Sequence, residues 1–388
     1  MPAPAIAIIG AGMGGMAVAA TLRQAGLEVA VYEQAQRFAR VGAGIQMLPN
    51  SMKVLRGIGV EDTLRALAFA PASHLNRVGN TGEVVRELPM PEDRYGAPFL
   101  CMHRAGLHAA LASVVPASIV HLNKKLVGID QDGGTVRLAF ADGTSATADA
   151  VVGADGVHSV VRTSIVGADR PLHRGRIAYR AVFPADRMPR EISRSRTKWW
   201  GEDRHIVIYY TTRDRSEVYF VTSVPEPAEW MTAESWSARG DVAALRAAYA
   251  DFHPEVRMVL DAAPECHKWA ILERAPLATW SRGRIVLIGD AAHPMTPYMA
   301  QGAATAIEDA AVLARCLHGV ATEGIAAAFR RFEAHRKPRT SAIQAISSAN
   351  TWMSGGDDDP SWLYGYDAWT APLDRPAATP GASRAAAG

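Results

Sequence analysis

Apolar residues run unbroken through AIAII at 5–9, the chain then reads as helix over 14–25, and EVAVY at 28–32 reads as a second strand. A short, uninterrupted apolar run suits a parallel strand covered on both faces, so this order predicts a βαβ start. The pattern weakens over 76–100, where Pro89, Pro91 and Pro98 predict a loop-rich segment. GTVRLAFADGTSATADAVVGADG, from Gly134, predicts a hairpin about an Asp-Gly turn followed by a buried strand. Over 176–224 the chain is strand-rich, with RHIVIYYTT and EVYFVTSV flanking the polar turn RDRS, which predicts antiparallel pairing. Residues 227–262 read as helical, 284–320 as strand, tight turn and helix, and 325–350 as another helix. From about 371, APLDRPAATPGASRAAAG has the composition of disorder.

Composition narrows the class without naming a function. The chain has 388 residues, 48% of them hydrophobic, enough for a large core in two domains or in one domain with an insertion. Net charge is +2 with no block of like charge, so no nucleic-acid partner is expected. No apolar run reaches the roughly 18 residues of a membrane helix, and MPAPAIAIIGAGMGG lacks the basic start of a signal peptide. Cys101, Cys266 and Cys316 are odd in number and far apart, which predicts reduced thiols, a cytoplasmic protein and no metal site.

The chemistry starts at Gly10, Gly12 and Gly15, a G-x-G-x-x-G pattern between strand and helix. Such glycines permit a tight turn, close approach of backbone to a pyrophosphate, and close helix packing. Glu33 ends the second strand 23 residues after Gly10, where a carboxylate can bind an adenosine ribose and would repel a 2′-phosphate. Asp155–Gly156 and Gly289–Asp290 each follow a further buried strand. Either aspartate could simply cap a helix. An NAD enzyme has no obvious use for both, whereas FAD carries a polyhydroxyl chain that Asp290 could hold. Both ends of the chain would then grip one long cofactor.

In this order the three motifs resemble the class A flavoprotein monooxygenases, single-chain aromatic hydroxylases, over roughly residues 5–350. KWWGEDRHIVIYYTT, YFVTSVPEPAEW and AQGAATAIEDAAVLARCL bring the resemblance nearest to the branch that acts on hydroxynicotinates. It implies an α/β, FAD-binding Rossmann-like fold with an inserted, mainly antiparallel β substrate domain. The FAD-binding domain would comprise 1–75, 101–170 and 276–350, the substrate domain 76–100 and 171–275, and a C-terminal extension 351–388. It also implies that Gly14, Glu33, Gln34, Arg104, Leu126 and Asp290 contact FAD, with Arg104 suited to the pyrophosphate. Gly302 and Ala303 would open a helix whose N–H groups face the flavin ring. His205 and Tyr209 lie on one face of a strand and, by resemblance, contact substrate and each other, with Tyr209 assisting proton removal from a ring hydroxyl. Gln46, Pro297 and Tyr298 would sit at the flavin–substrate junction. There the nicotinate enzymes carry histidines where this chain has Gln46 and Tyr298, which leaves the ring acted on open.

The expected cofactors are bound FAD, a transient NADH or NADPH, and O2, because the chain has no second G-x-G-x-x-G. The expected substrate is a hydroxylated pyridine or benzene carboxylate, with a salicylate- or hydroxypicolinate-type hydroxylase as the near alternative. A halogenase would need W-x-W-x-I-P, which is missing. An NAD-dependent dehydrogenase or a non-catalytic nucleotide-binding protein is the distant alternative.

Overall fold

Apolar runs from the two ends of the chain become neighbours in one sheet. The computed structural model describes residues 5–38, 43–132, 134–226, 238–352 and 359–380. Its parallel sheet has the order Ser281–Arg282, Ile285–Leu287, Ala150–Gly153, Ala5–Ile9, Glu28–Tyr32, Val120–His121. All pairings are parallel except the antiparallel edge at Ser281–Arg282. Ile8, Val31, Val151, Val152 and Val286 are fully buried, as a strand covered on both faces requires.

The helix Met13–Gln24 that follows the first strand packs against Gly302–Leu317, and small residues set the distance. A Cβ on Gly14 would lie 3.2 Å from the Ala306 methyl, and one on Gly289 would lie 3.0 Å from it. Ile307, Ala310, Leu313 and Leu317, spaced as one helical face, are fully buried. Glu308 and Asp309 on the same helix are buried too, and they meet Arg336 and Arg339 from the long helix Ile325–Ala349. Arg336 Nε donates to Asp309 Oδ1 at 2.7 Å, and Arg339 pairs with Glu308 at 2.9 Å. Burial alone would raise the Asp309 carboxyl, but His293 and Arg336 outweigh it and hold it at about 2. The other Asp309 oxygen accepts from the Gly289 N–H at 3.1 Å, so this ion network anchors the turn that carries Asp290. Removing one partner of a buried ion pair strands the other. Arg336→Met is therefore expected to destabilise the protein by about 3 kcal/mol in urea unfolding, and a loss under about 1 kcal/mol would show the network to be dispensable.

The second large sheet is almost wholly antiparallel. Its order is Arg239–Gly240, Cys266–Glu273, Leu172–Pro184, Glu217–Pro225, His205–Tyr210, Arg196–Trp200, Ser73–Val78, Val84–Pro89, with one parallel pairing between Arg196–Trp200 and Ser73–Val78. The last two strands replace much of the loop expected over 76–100. Their hairpin was hidden because the inward residues His74 and Asn76 are polar yet only 4% and 1% exposed. Val242–Ala248 and Pro254–Ala262 are the helices found within 227–262, and residues 227–237 lie outside the described part.

The expectation of disorder from about 371 is corrected for residues 371–380. Ala377 N–H donates to the His335 carbonyl at 2.9 Å, and the Arg339 guanidinium donates to the Ala378 carbonyl at 3.1 Å. A Pro- and Ala-rich segment needs little side-chain burial when buried partners satisfy its backbone.

Candidate active site

Three turns converge because three strands are neighbours. Ala5–Ile9, Ala150–Gly153 and Ile285–Leu287 run parallel, so the segments after them, at Gly10, Ala154 and Gly289, emerge on one edge of the sheet. In open α/β sheets, ligands bind in the crevice outside the carboxyl ends of the strands. Here that crevice is a cleft of about 330 Å³. One wall contains Gly12, Gly14, Gly156, Asp290, Gly302 and Ala303. The facing wall is the antiparallel sheet, through Tyr209, Tyr219, Val221, Arg180 and Trp269. Gln46, Arg104 and Pro297 lie between them.

The glycines leave a cradle that side chains would fill. Gly10 has φ +100°, and a Cβ there would lie 2.5 Å from the Ala154 carbonyl oxygen. A Cβ on Gly15 would lie 1.9 Å from the Gly10 carbonyl oxygen. A Cβ on Gly12 would meet nothing within 4 Å, so the start of Met13–Gln24 faces the cleft bare. That open helix N-terminus is suited to a pyrophosphate. Burial lowers the Arg104 guanidinium, and Asp290 partly restores it. Asp290 is exposed, but what it faces is the cleft, and desolvation there raises its carboxyl against the pull of His293 and Arg104. Both groups are set to gain from a polar ligand that replaces the lost water.

Several expected contacts take other positions. Asp155 accepts from Ser159 Oγ and from the N–H groups of Val160 at 2.8 Å and Val161 at 3.2 Å, so its carboxylate caps the helix Val160–Val166. Its neighbours Ala154 and Gly156 line the cleft. Leu126 is 4% exposed in the hydrophobic core, and Gln34 is exposed; neither lines the cleft. Glu33 accepts from the Ala11 and Ala35 N–H groups, both at 2.8 Å, tying the second strand to the glycine turn. Each of its oxygens keeps a further lone pair for a ribose hydroxyl.

With this geometry in hand, comparison with known proteins is direct. Residues 4–347 match the family model described as FAD binding domain. The chain belongs to this FAD-binding family. It is 45% identical over 377 residues to 6-hydroxynicotinate 3-monooxygenase of Bordetella bronchiseptica, covering 95% of this chain and 97% of the relative. It is 39% identical to 3-amino-4-hydroxybenzoate 2-monooxygenase of Streptomyces cremeus, covering 87% and 84%. Among solved structures, HpxO of Klebsiella pneumoniae with FAD and uric acid has a TM-score of 0.80 at 26% identity, covering 91% and 90%. The protein is thus a flavin-dependent aromatic monooxygenase whose cofactor is FAD.

In this flavoprotein the substrate side of the cleft differs from the expected picture. Tyr209 lines the cleft, 2% exposed, with its ring 5.1 Å from that of Tyr219, its cross-strand partner. Burial pushes the Tyr209 phenol well up, with Tyr219 and Cys101 adding, while Arg196 and a hydrogen bond with Gln46 oppose. His205 shares the strand face but not the place. Four residues of extended chain span about 13 Å, so the two do not touch. His205 packs instead against Trp200 and Tyr298, each ring 5.2 Å away, and burial beside Lys198 lowers its pKa well below the usual imidazole value. Pro297 lines the cleft, whereas Tyr298 turns away and shares a hydrogen bond with Ser223 Oγ at 3.0 Å. Tyr219, Arg180 and Trp269 were missed; the strands of the first two fall within 176–224, that of Trp269 was not read, and which residues stand opposite Tyr209 depends on register.

Proposed function

We propose that the enzyme hydroxylates a hydroxylated pyridine or benzene carboxylate, using NADH or NADPH and O2. The observation that carries this reading is that Tyr209 closes the cleft that Asp290, Gly302 and Ala303 open, which puts a phenol at the flavin end. The 45% identity to an enzyme named for 6-hydroxynicotinate supports the substrate class. Bound FAD would supply electron transfer and the activation of O2. Glycines 10, 12, 14 and 15 with Arg104 would hold its pyrophosphate, Glu33 its ribose and Asp290 its ribityl chain. The first N–H groups of Gly302–Leu317 would stabilise negative charge on the ring.

Tyr209 takes the proton-handling role alone. A phenol raised by burial is protonated at neutral pH, so it relays a proton rather than acting as a preformed base. Gln46 lines the cleft with it, and His205, packed against Tyr298, backs the substrate wall. We assign 76–100 and 171–275 to the substrate domain and 1–75, 101–170 and 276–350 to the FAD domain. Among the described residues no helix is long and apolar enough to cross a membrane, and the three cysteines are free and buried. Those free thiols support a cytoplasmic location.

The test is NADH oxidation and product formation with 6-hydroxynicotinate, 6-hydroxypicolinate and salicylate. At least one is expected to raise NADH oxidation well above the substrate-free rate, with matching hydroxylated product. No stimulation by any of the three would overturn the reading.

A further inference from the structure

Beside the cleft, sharing Gln46 with it, lies a small enclosed pocket of about 10 Å³ lined by His74, Asn76, Arg196, Lys198 and Tyr298. Its floor is the inner face of the antiparallel sheet. Arg196 stands opposite His74, and Lys198 opposite Asn76 on one side and Val207 on the other. Val207 shares its strand face with Tyr209. The two cations are 6% and 2% exposed, yet neither has a carboxylate within 4.0 Å among the described residues. Lys198 Nζ has Asn350 Oδ1 at 3.2 Å and the Trp200 ring at 3.6 Å. Arg196 Nε, His74 Nε2 and Gln46 Oε1 have no hydrogen-bond partner.

Two buried like charges without an anion are costly, because desolvation and mutual repulsion add. The cost shows in Lys198, whose pKa burial and then Arg196 lower well below its usual value. Such an arrangement persists where a ligand completes it. A hydroxylated aromatic acid brings a carboxylate, whose negative charge can be shared by the two cations. A space of about 10 Å³, at the limit for a single water, admits no ring and takes only an oxygen of a carboxylate that reaches in from the cleft side of Gln46. The geometry points to Arg196 and Lys198 as the residues that hold the substrate carboxylate, with the ring on the cleft side of Gln46 toward Tyr209. This rests on the hydroxylase reading and names its specificity determinant. Gln46 and Tyr298 are neutral, so positive charge at this junction comes from Arg196 and Lys198.

The test uses the FAD-bound enzyme and reads ligand binding from the change in flavin absorbance, without turnover. The probes are nicotinate and benzoate, with 3-hydroxypyridine and phenol as rings lacking a carboxylate. Arg196→Met and Lys198→Met are each expected to weaken binding of the two carboxylates by at least 10-fold and the double variant by roughly 100-fold or more, since a charge-assisted hydrogen bond contributes about 1.5–3 kcal/mol. Affinity for the neutral rings is expected to stay within about 3-fold of wild type. FAD content should be unchanged, and melting temperature unchanged or raised, because an unpaired buried cation has been removed. Equal losses for charged and neutral rings, no loss for either, or a wild type that binds no carboxylate would overturn the assignment. Carboxylate binding through these residues without any turnover across the substrate panel would uphold the pocket and defeat the hydroxylase reading.

Discussion

A Gly15→Ala variant is expected to purify without FAD. The new Cβ would sit 1.9 Å from the Gly10 carbonyl oxygen, far inside contact distance, and the obstacle is backbone. Gly10 has nowhere to go. Its N–H donates to the Tyr32 carbonyl at 2.8 Å, and the Ala154 carbonyl stands close enough that even a Cβ on Gly10 would lie 2.5 Å from its oxygen. The turn must therefore open, at a cost of about 1–3 kcal/mol or more, and the N–H cradle opens with it. Gly12→Ala separates the two effects. Its Cβ meets no protein atom within 4 Å, so the variant should fold with wild-type stability while the methyl group intrudes on the space where the cofactor would lie. Flavin absorbance per protein and thermal melting decide both. Gly15→Ala with full FAD would contradict the cradle.

Tyr209→Phe is expected to lower kcat by about 100-fold or more while FAD binding stays intact, the loss usual for a missing proton-transfer group. The phenol is buried and lines the cleft, so the benzyl ring of phenylalanine should pack in place and leave the fold unchanged. What would disappear is the O–H proposed above as the relay for the proton of the ring hydroxyl. The pH profile tests that role. In the variant, kcat should climb with pH as substrate ionises directly in solution, whereas wild type should depend on pH far less over the same range. A variant within a few-fold of wild type at neutral pH would move the proton step to another group.

The two glycine-flanked strands and their helices were legible because they obey strong local rules. An apolar run, a glycine turn and a helical apolar face all follow from neighbouring residues, as at Ala5–Ile9 with Gly10 and Ile285–Leu287 with Gly289. The failures are equally local in origin. Ser73–Val78 breaks hydrophobic alternation because His74 and Asn76 point inward to a polar pocket. Departures from pattern of this kind concentrate where function sets the residue. Asp155 shows the converse: a motif position whose side chain also caps the adjoining helix.

By itself the sequence determined the α/β class, the glycine turn, the acid at Glu33, the buried helix faces and the presence of Asp290 at the tip of a second turn. These depend on spacings within one element, which the chain carries wherever it folds. Tertiary structure alone decided that residues 10, 154 and 289 share one sheet edge, that Tyr209 faces Tyr219 and Gln46 while His205 does not reach it, and that two cations share one small pocket. Those outcomes depend on strand order and register, and pairings between residues tens to hundreds of positions apart leave no periodic trace in the chain.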